Sequence, residues 1–210
     1  MEKKFILTDK FVINSFGIKL FQIKCTKSFK YAQKGDFGGY VEKEGNLDQE
    51  NDAWVFGNAR VFGNARVSSN ARVSGDAWVS DNALVSGDAW VSDNAWVSSN
   101  AWVSGDARVS GNAWVSGDAR VSGNAWVSGN ADIENDNEHC GFDGFGSCNR
   151  HTHAYMTKEK KVEIICGCFR GSIEEFEKKV EETHSGTVYE KQYKSIINVI
   201  KIKFGLTDFT

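Results

Sequence analysis

The side chains that could hold a metal or attack a substrate are concentrated between residues 139 and 168: His139, Cys140, Cys148, His151, His153, Cys166 and Cys168. Imidazole and thiolate are the ligands of tetrahedral zinc, which takes four of them. Two close pairs, His151-Thr152-His153 and Cys166-Gly167-Cys168, would supply four, so His151, His153, Cys166 and Cys168 form the candidate metal set. The C-x2-C knuckle of many zinc sites is missing. Alternate residues on a strand share a face, so Cys166 and Cys168 are equally well read as small core residues. That plainer reading outweighs the metal, a Cys/His nucleophile pair is a third, and no cofactor is expected. His184 falls at a helix C-terminus, where an imidazole complements the helix dipole.

The elements that would position these residues follow from pattern. Residues 139–148 read as an ordered loop, and residues 151–155 and 161–169 as two strands. Ser172 and Glu175 form a capping box opening a helix with Ile173, Phe176 and Val180 on one face. A second helix spans about residues 188–204, with Tyr189, Tyr193, Ile196, Ile197 and Ile200. Residues 136–210 are therefore expected to form a small α+β domain of order β-β-α-α.

Ahead of it, residues 52–135 repeat one six-residue unit, [N/D]-A-[W/R]-V-S-G, without a gap for fourteen hexads. A fixed short period signals a solenoid. Gly, Ser, Asp or Asn follows the Ser position, where a positive φ is needed, and Asn135 closes that series. The next position is always Asn or Asp, which can stack as a ladder. Residues 1–39 read as an N-terminal β cap: apolar runs at residues 5–7, 11–13 and 18–23, a turn at residues 14–17, and a glycine-rich turn at residues 34–39. The latter lacks the G-K-[S/T] ending of a phosphate loop. Val41 and Leu47 fall in phase with the hexad alanines, so an irregular first coil is expected from Tyr40, and the repeat region from 40 to 135.

In the frame V-S-G-[N/D]-A-[W/R] each unit resembles the hexapeptide of left-handed parallel β-helix proteins. The resemblance implies a mainly β fold, with Val and Ala inside and three hexads per triangular coil, about five coils in all. Residues eighteen apart then stack on one outer face, and every tryptophan lies outside. The first face reads Trp54, Arg72, Trp90, Arg108, Trp126; the second Arg60, Trp78, Trp96, Trp114, Asp132; the third Arg66, Leu84, Trp102, Arg120. Guanidinium on indole stabilises such ladders by itself. Exposed Trp and Arg are also the residues of interface hot spots. Trp78, Trp96 and Trp114 are the leading interaction candidates, with Trp90, Trp102, Trp126, Arg72, Arg108 and Arg120 beside them; sugar binding is a third use.

Many left-handed β-helix proteins are acyltransferases, which resemble one another in a catalytic His in or beside the coils and a protruding loop. Carbonic anhydrases of similar fold need three coil histidines. Here no His precedes His139 and no loop interrupts the hexads. The chain is read as a non-enzyme, with an acyltransferase-like enzyme or a metalloprotein using the His/Cys cluster as the alternative. Net charge is −3, giving no reason to expect nucleic acid. No apolar run approaches the ~20 residues of a membrane span. Five Cys, an odd number, do not make a secreted disulfide framework, so a cytoplasmic location is expected.

The whole layout is similar to a group of phage and prophage proteins. They share K-G-D-x-G-G-[YW]-V-E, matched by residues 34–42, then N-A-x-V-x-G hexads, then G-C-F-x-G-[ST]-x-E-E-F, matched by residues 167–176. This resemblance implies a phage context but no agreed activity; small phage proteins without catalytic residues often bind a host protein, so by analogy a host-protein partner is expected, including inhibition of a defence system such as CRISPR. Self-assembly as a structural β-helix protein, dimer or trimer, is the other expectation.

Overall fold

The computed structural model describes residues 2–206. Strands β1 (Phe5–Ile13), β2 (Lys19–Cys25) and β3 (Phe37–Val41) form an antiparallel meander. β3 then pairs in parallel with the first hexads, Tyr40 beside Arg60 and Val41 beside Val61. Fourteen two-residue strands follow, β4 (Trp54–Val55) to β17 (Asp132–Ile133). They stack eighteen residues apart into three parallel sheets, a β-solenoid of about five turns. The last sheet is antiparallel, with β18 (His139–Phe145), β19 (Arg150–Met156), β20 (Val162–Cys166) and β21 (Phe169–Ser172) in that order. Helices α1 (Ile173–His184) and α2 (Val188–Lys203) cover its outer side. Among the described residues no helix is long and apolar enough to cross a membrane.

Small apolar side chains make the turns identical. The inward valines and alanines from Ala53 to Ile133 are almost wholly buried. Backbone bonds join successive turns at a constant length, as in Trp90 N–H to Ala107 O and Ser92 N–H to Val109 O, both 2.9 Å. At the corners the chain turns through positive φ: Gly75 has φ +68°, while Ser69, Asp81, Asp93 and Ser99 stand between +58° and +60°. Asp81 and Asp93 offset that strain, since their carboxylates accept the N–H of Ser99 (3.2 Å) and Gly111 (3.1 Å) one turn on. Beside them runs an amide ladder, Asn64 to Asn82 to Asn100 to Asp118, with bonds of 3.2, 3.1 and 3.0 Å.

Several sequence expectations need correction. Val41 and Leu47 stack on Val61 and Val67, not on alanines, because the first coil is two residues longer. The extra length sits in the corner around Asp48 to Asp52, where Lys4 inserts its ammonium 2.9 Å from Ala53 O. Burial lowers the Lys4 pKa to about 8. Gly38 and Gly39 belong to β3 rather than to a turn. A Cβ on Gly38 would lie 2.6 Å from Val55 O, so glycine lets the cap close onto the bore. Asn135 has φ −156° and caps a 3-10 turn, accepting the Asn137 N–H at 2.9 Å. Residues 139–145 form a strand, and residues 161–169 split into β20 and β21 at Gly167 (φ +61°), so the C-terminal order is β-β-β-β-α-α. The capping box is present: Ser172 N–H donates to Glu175 Oε2 at 2.8 Å, and Glu175 N–H to Ser172 Oγ at 3.2 Å.

Corner glycines differ in what surrounds them. A Cβ at Gly75 would lie 2.8 Å from the Asp93 backbone nitrogen, whereas at Gly57 (φ +56°) nothing lies within 4 Å. Gly57→Ala should cost about 1 kcal/mol, the left-handed backbone penalty alone. Gly75→Ala should cost clearly more, ~2–3 kcal/mol, because the stacked turn must also separate. Urea unfolding of the two variants measures the difference; equal losses would contradict it.

Candidate interaction surfaces

The outer ladders are built by register. Trp90 pairs with Arg72 and Arg108, Arg108 with Trp126, and Trp54 with Arg72. Trp96 stands between Trp78 and Trp114, and Trp102 between Leu84 and Arg120. The rings pack along the prism. Trp96 and Trp114 lie 5.2 Å apart with planes 5° from parallel. The Arg72 guanidinium sits 4.6 Å from the Trp90 ring centre.

A serine column positions the indoles. Trp90 Nε1–H donates to Ser74 Oγ (2.8 Å), Trp96 to Ser80 (3.1 Å), Trp102 to Ser86 (3.3 Å) and Trp114 to Ser98 (3.2 Å). Each acceptor precedes its tryptophan by sixteen residues, a spacing the repeat contains but the residue-type reading missed. Along these ladders at least one face of Trp90, Trp96 and Trp114 is already occupied.

Every tryptophan stands on an outer ladder, but not every one is open. Trp54 is 1% exposed, covered by Phe29 and Phe5 of the cap with ring centres 5.3 and 6.3 Å away. Phe16, at the tip of the β1–β2 hairpin, reaches over the second face. It lies 6.1, 6.0 and 6.2 Å from Phe62, Trp78 and Trp96. Trp78 and Trp96 are thus half-buried, and the open parts of that ladder are Phe16 and Trp114. An open notch of about 360 Å³ borders it, lined by Asn94, Asn112, Asn130 and Lys158. Elsewhere Trp90, Trp102 and Trp126 stay exposed. Arg108 and Arg120 make no side-chain hydrogen bond, ion pair or ring contact among the described residues.

The His/Cys group is divided by its sheet. Tyr155, His153 and Ile165 face the last solenoid turn, whereas Thr152, Ala154, Ile164 and Cys166 face the helices. Cys166 accepts from Thr152 Oγ1 at 3.2 Å, and Cys168 is exposed in the following turn. His151 and His153 therefore do not converge with Cys166 and Cys168, and no group of three potential ligands comes together among the described residues.

The histidines instead join the two units. His153 Nδ1 lies 3.0 Å from Trp126 O, which can only accept, so this nitrogen carries the proton. His153 Nε2 must then accept from His139 Nδ1, 3.1 Å away. His139 Nε2 is left without a hydrogen-bond partner, 3.9 Å from Asp136. His151 Nδ1 donates to Asp143 at 2.8 Å. Gly141 makes room for this ring, as a Cβ there would lie 2.6 Å from His151 Cε1.

The YdcK beta-solenoid repeat family matches residues 65–81, 77–93, 101–117 and 113–129. All four matches lie within the coils and each starts on an inward alanine. No curated protein matches the chain. The similarity is thus to a solenoid repeat, not to an activity.

Burial holds His153 at a pKa of about 3 and lowers that of His139. Both would titrate near ~6.5 in the unfolded chain. Below that value the unfolded chain binds more protons than the native one, so stability falls as pH falls and levels off above it. Thermal unfolding from about pH 7.5 to about pH 5 should show this loss. His153→Asn, whose amide can still donate to Trp126 O, should flatten the slope; an unchanged slope would exclude His153 as a source.

Proposed function

We propose that this β-solenoid is a non-catalytic scaffold that binds another protein through the open end of its second face. The observation that carries this reading is the cluster of exposed Phe16 and Trp114 on half-buried Trp96, beside the polar notch of Asn94, Asn112, Asn130 and Lys158. Fixed aromatic anchors with a polar rim are the anatomy of an interface hot spot. Their geometry is set before binding, so little side-chain freedom is lost on contact. The likeness to phage and prophage proteins supports a host protein as the partner, with inhibition of a defence system as one form that binding takes.

Affinity capture from host lysate with the intact chain, Trp96→Ala, Trp114→Ala and Trp102→Ala tests the proposal. A partner of the wild type should bind about tenfold or more weakly to the first two variants and normally to the third. A partner held equally by all four proteins would move the site away from this face.

A further inference from the structure

We infer that the first face, around Trp90 and Arg108, is where a second copy of this chain docks, with the two prisms antiparallel. This goes beyond the proposed function and uses a different face, so either can fail without the other.

The three faces differ in what is left open. The second is overlain by Phe16, and its last rung, Asp132, is held by Lys160 at 3.4 Å. On the first face the cap reaches Trp54 and, through Tyr31, the Arg72 guanidinium at 5.4 Å from the Tyr31 ring centre. Below that, Trp90 (37% exposed) and Trp126 (40%) are open. Arg108 stands between them with no partner for its guanidinium among the described residues. Trp90 has Arg72 on one ring face and no ring or cation contact toward Arg108.

Symmetry decides how two such faces can meet. Two identical flat faces pack about a two-fold axis lying in the interface. If that axis runs along the prism, every rung meets its own copy, and Arg108 opposes Arg108. If it runs across the prism, the order of rungs is reversed. With the axis between the Trp90 and Arg108 rungs, Trp90 meets Arg108 of the second copy, Arg108 meets Trp90, and Arg72 meets Trp126. Every guanidinium then faces an indole, the pairing already made within the chain by Arg72 and Trp90. On the third face an axis between Leu84 and Trp102 would oppose Arg66 to Arg120, two like charges, and an axis between Trp102 and Arg120 would pair these two but bring only two rungs together. Only the first face is both open and self-complementary over four rungs. Four rungs at ~4.8 Å make a short contact, below the ~800 Å² per partner of a stable complex, so the dimer should be concentration-dependent.

Analytical ultracentrifugation of the full chain across micromolar concentrations tests this. The wild type should pass from monomer to dimer. Trp90→Arg places Arg opposite Arg and should weaken dimerisation by about tenfold or more. Arginine already occupies equivalent rungs, so this variant should keep the fold, with circular dichroism as the check. The double variant Trp90→Arg/Arg108→Trp restores indole opposite guanidinium and should recover dimerisation, while Trp102→Arg on the third face should leave it unchanged. A strict monomer, a trimer, a Trp90→Arg variant that dimerises like the wild type, or a folded double variant that stays monomeric would each overturn the inference.

Discussion

A coil can be laid on the coil before it only if both have the same outline, and here that outline is set by methyl groups. Val and Ala fill the bore at every turn, so no turn is wider than its neighbours and the Ala and Val carbonyls meet N–H groups of the adjacent coil at about the same distance. Corner conformation, amide ladders and outer rungs all depend on that constancy. A larger inward side chain would displace one turn and with it every stacked pair. The rigid spacing also places indoles and guanidinia in columns, so the interior accounts for the exterior.

A stack of coils has two open ends, and the chain closes them differently. At the start, an antiparallel meander shares its third strand with the solenoid sheet, while Lys4 and Trp54 fill the gap left by a longer first corner. At the far end, a separate sheet lies across the last turn with Tyr155 and His153 inward, tied by Lys158 N–H to Asn130 O at 2.9 Å. The first closure is mainly apolar and aromatic. The second depends on neutral imidazoles, which makes it the acid-sensitive one.

The solenoid and its ladders were legible because a period of eighteen converts sequence position directly into spatial neighbour. The positive-φ corners were legible for the same reason, at every turn except Asn135. What escaped notice depends on contacts between distant segments. Nothing near Trp54 announces Phe5 and Phe29 above it, and nothing in the Asn14–Gly17 hairpin turn announces that Phe16 lies on Trp96. Strand β18 was hidden by its glycines, which interrupt the alternation in His-Cys-Gly-Phe-Asp-Gly-Phe. The His/Cys grouping failed because β19 turns His153 toward the solenoid while the neighbouring β20 turns Cys166 toward the helices, a difference of sheet face that spacing within each pair does not reveal.

The three-faced outline has a consequence for how such a chain can change its length. One hexad occupies one face, so gaining or losing a single repeat turns everything downstream by a third of a revolution about the long axis. The C-terminal sheet and helices would then overlook a different face from the one they now border. Gain or loss of three hexads together changes the length by only ~4.8 Å and leaves both ends in their present phase. Repeat number in this architecture is therefore an angular coordinate as much as a measure of length. Drift in copy number reorients the ends unless it proceeds in threes.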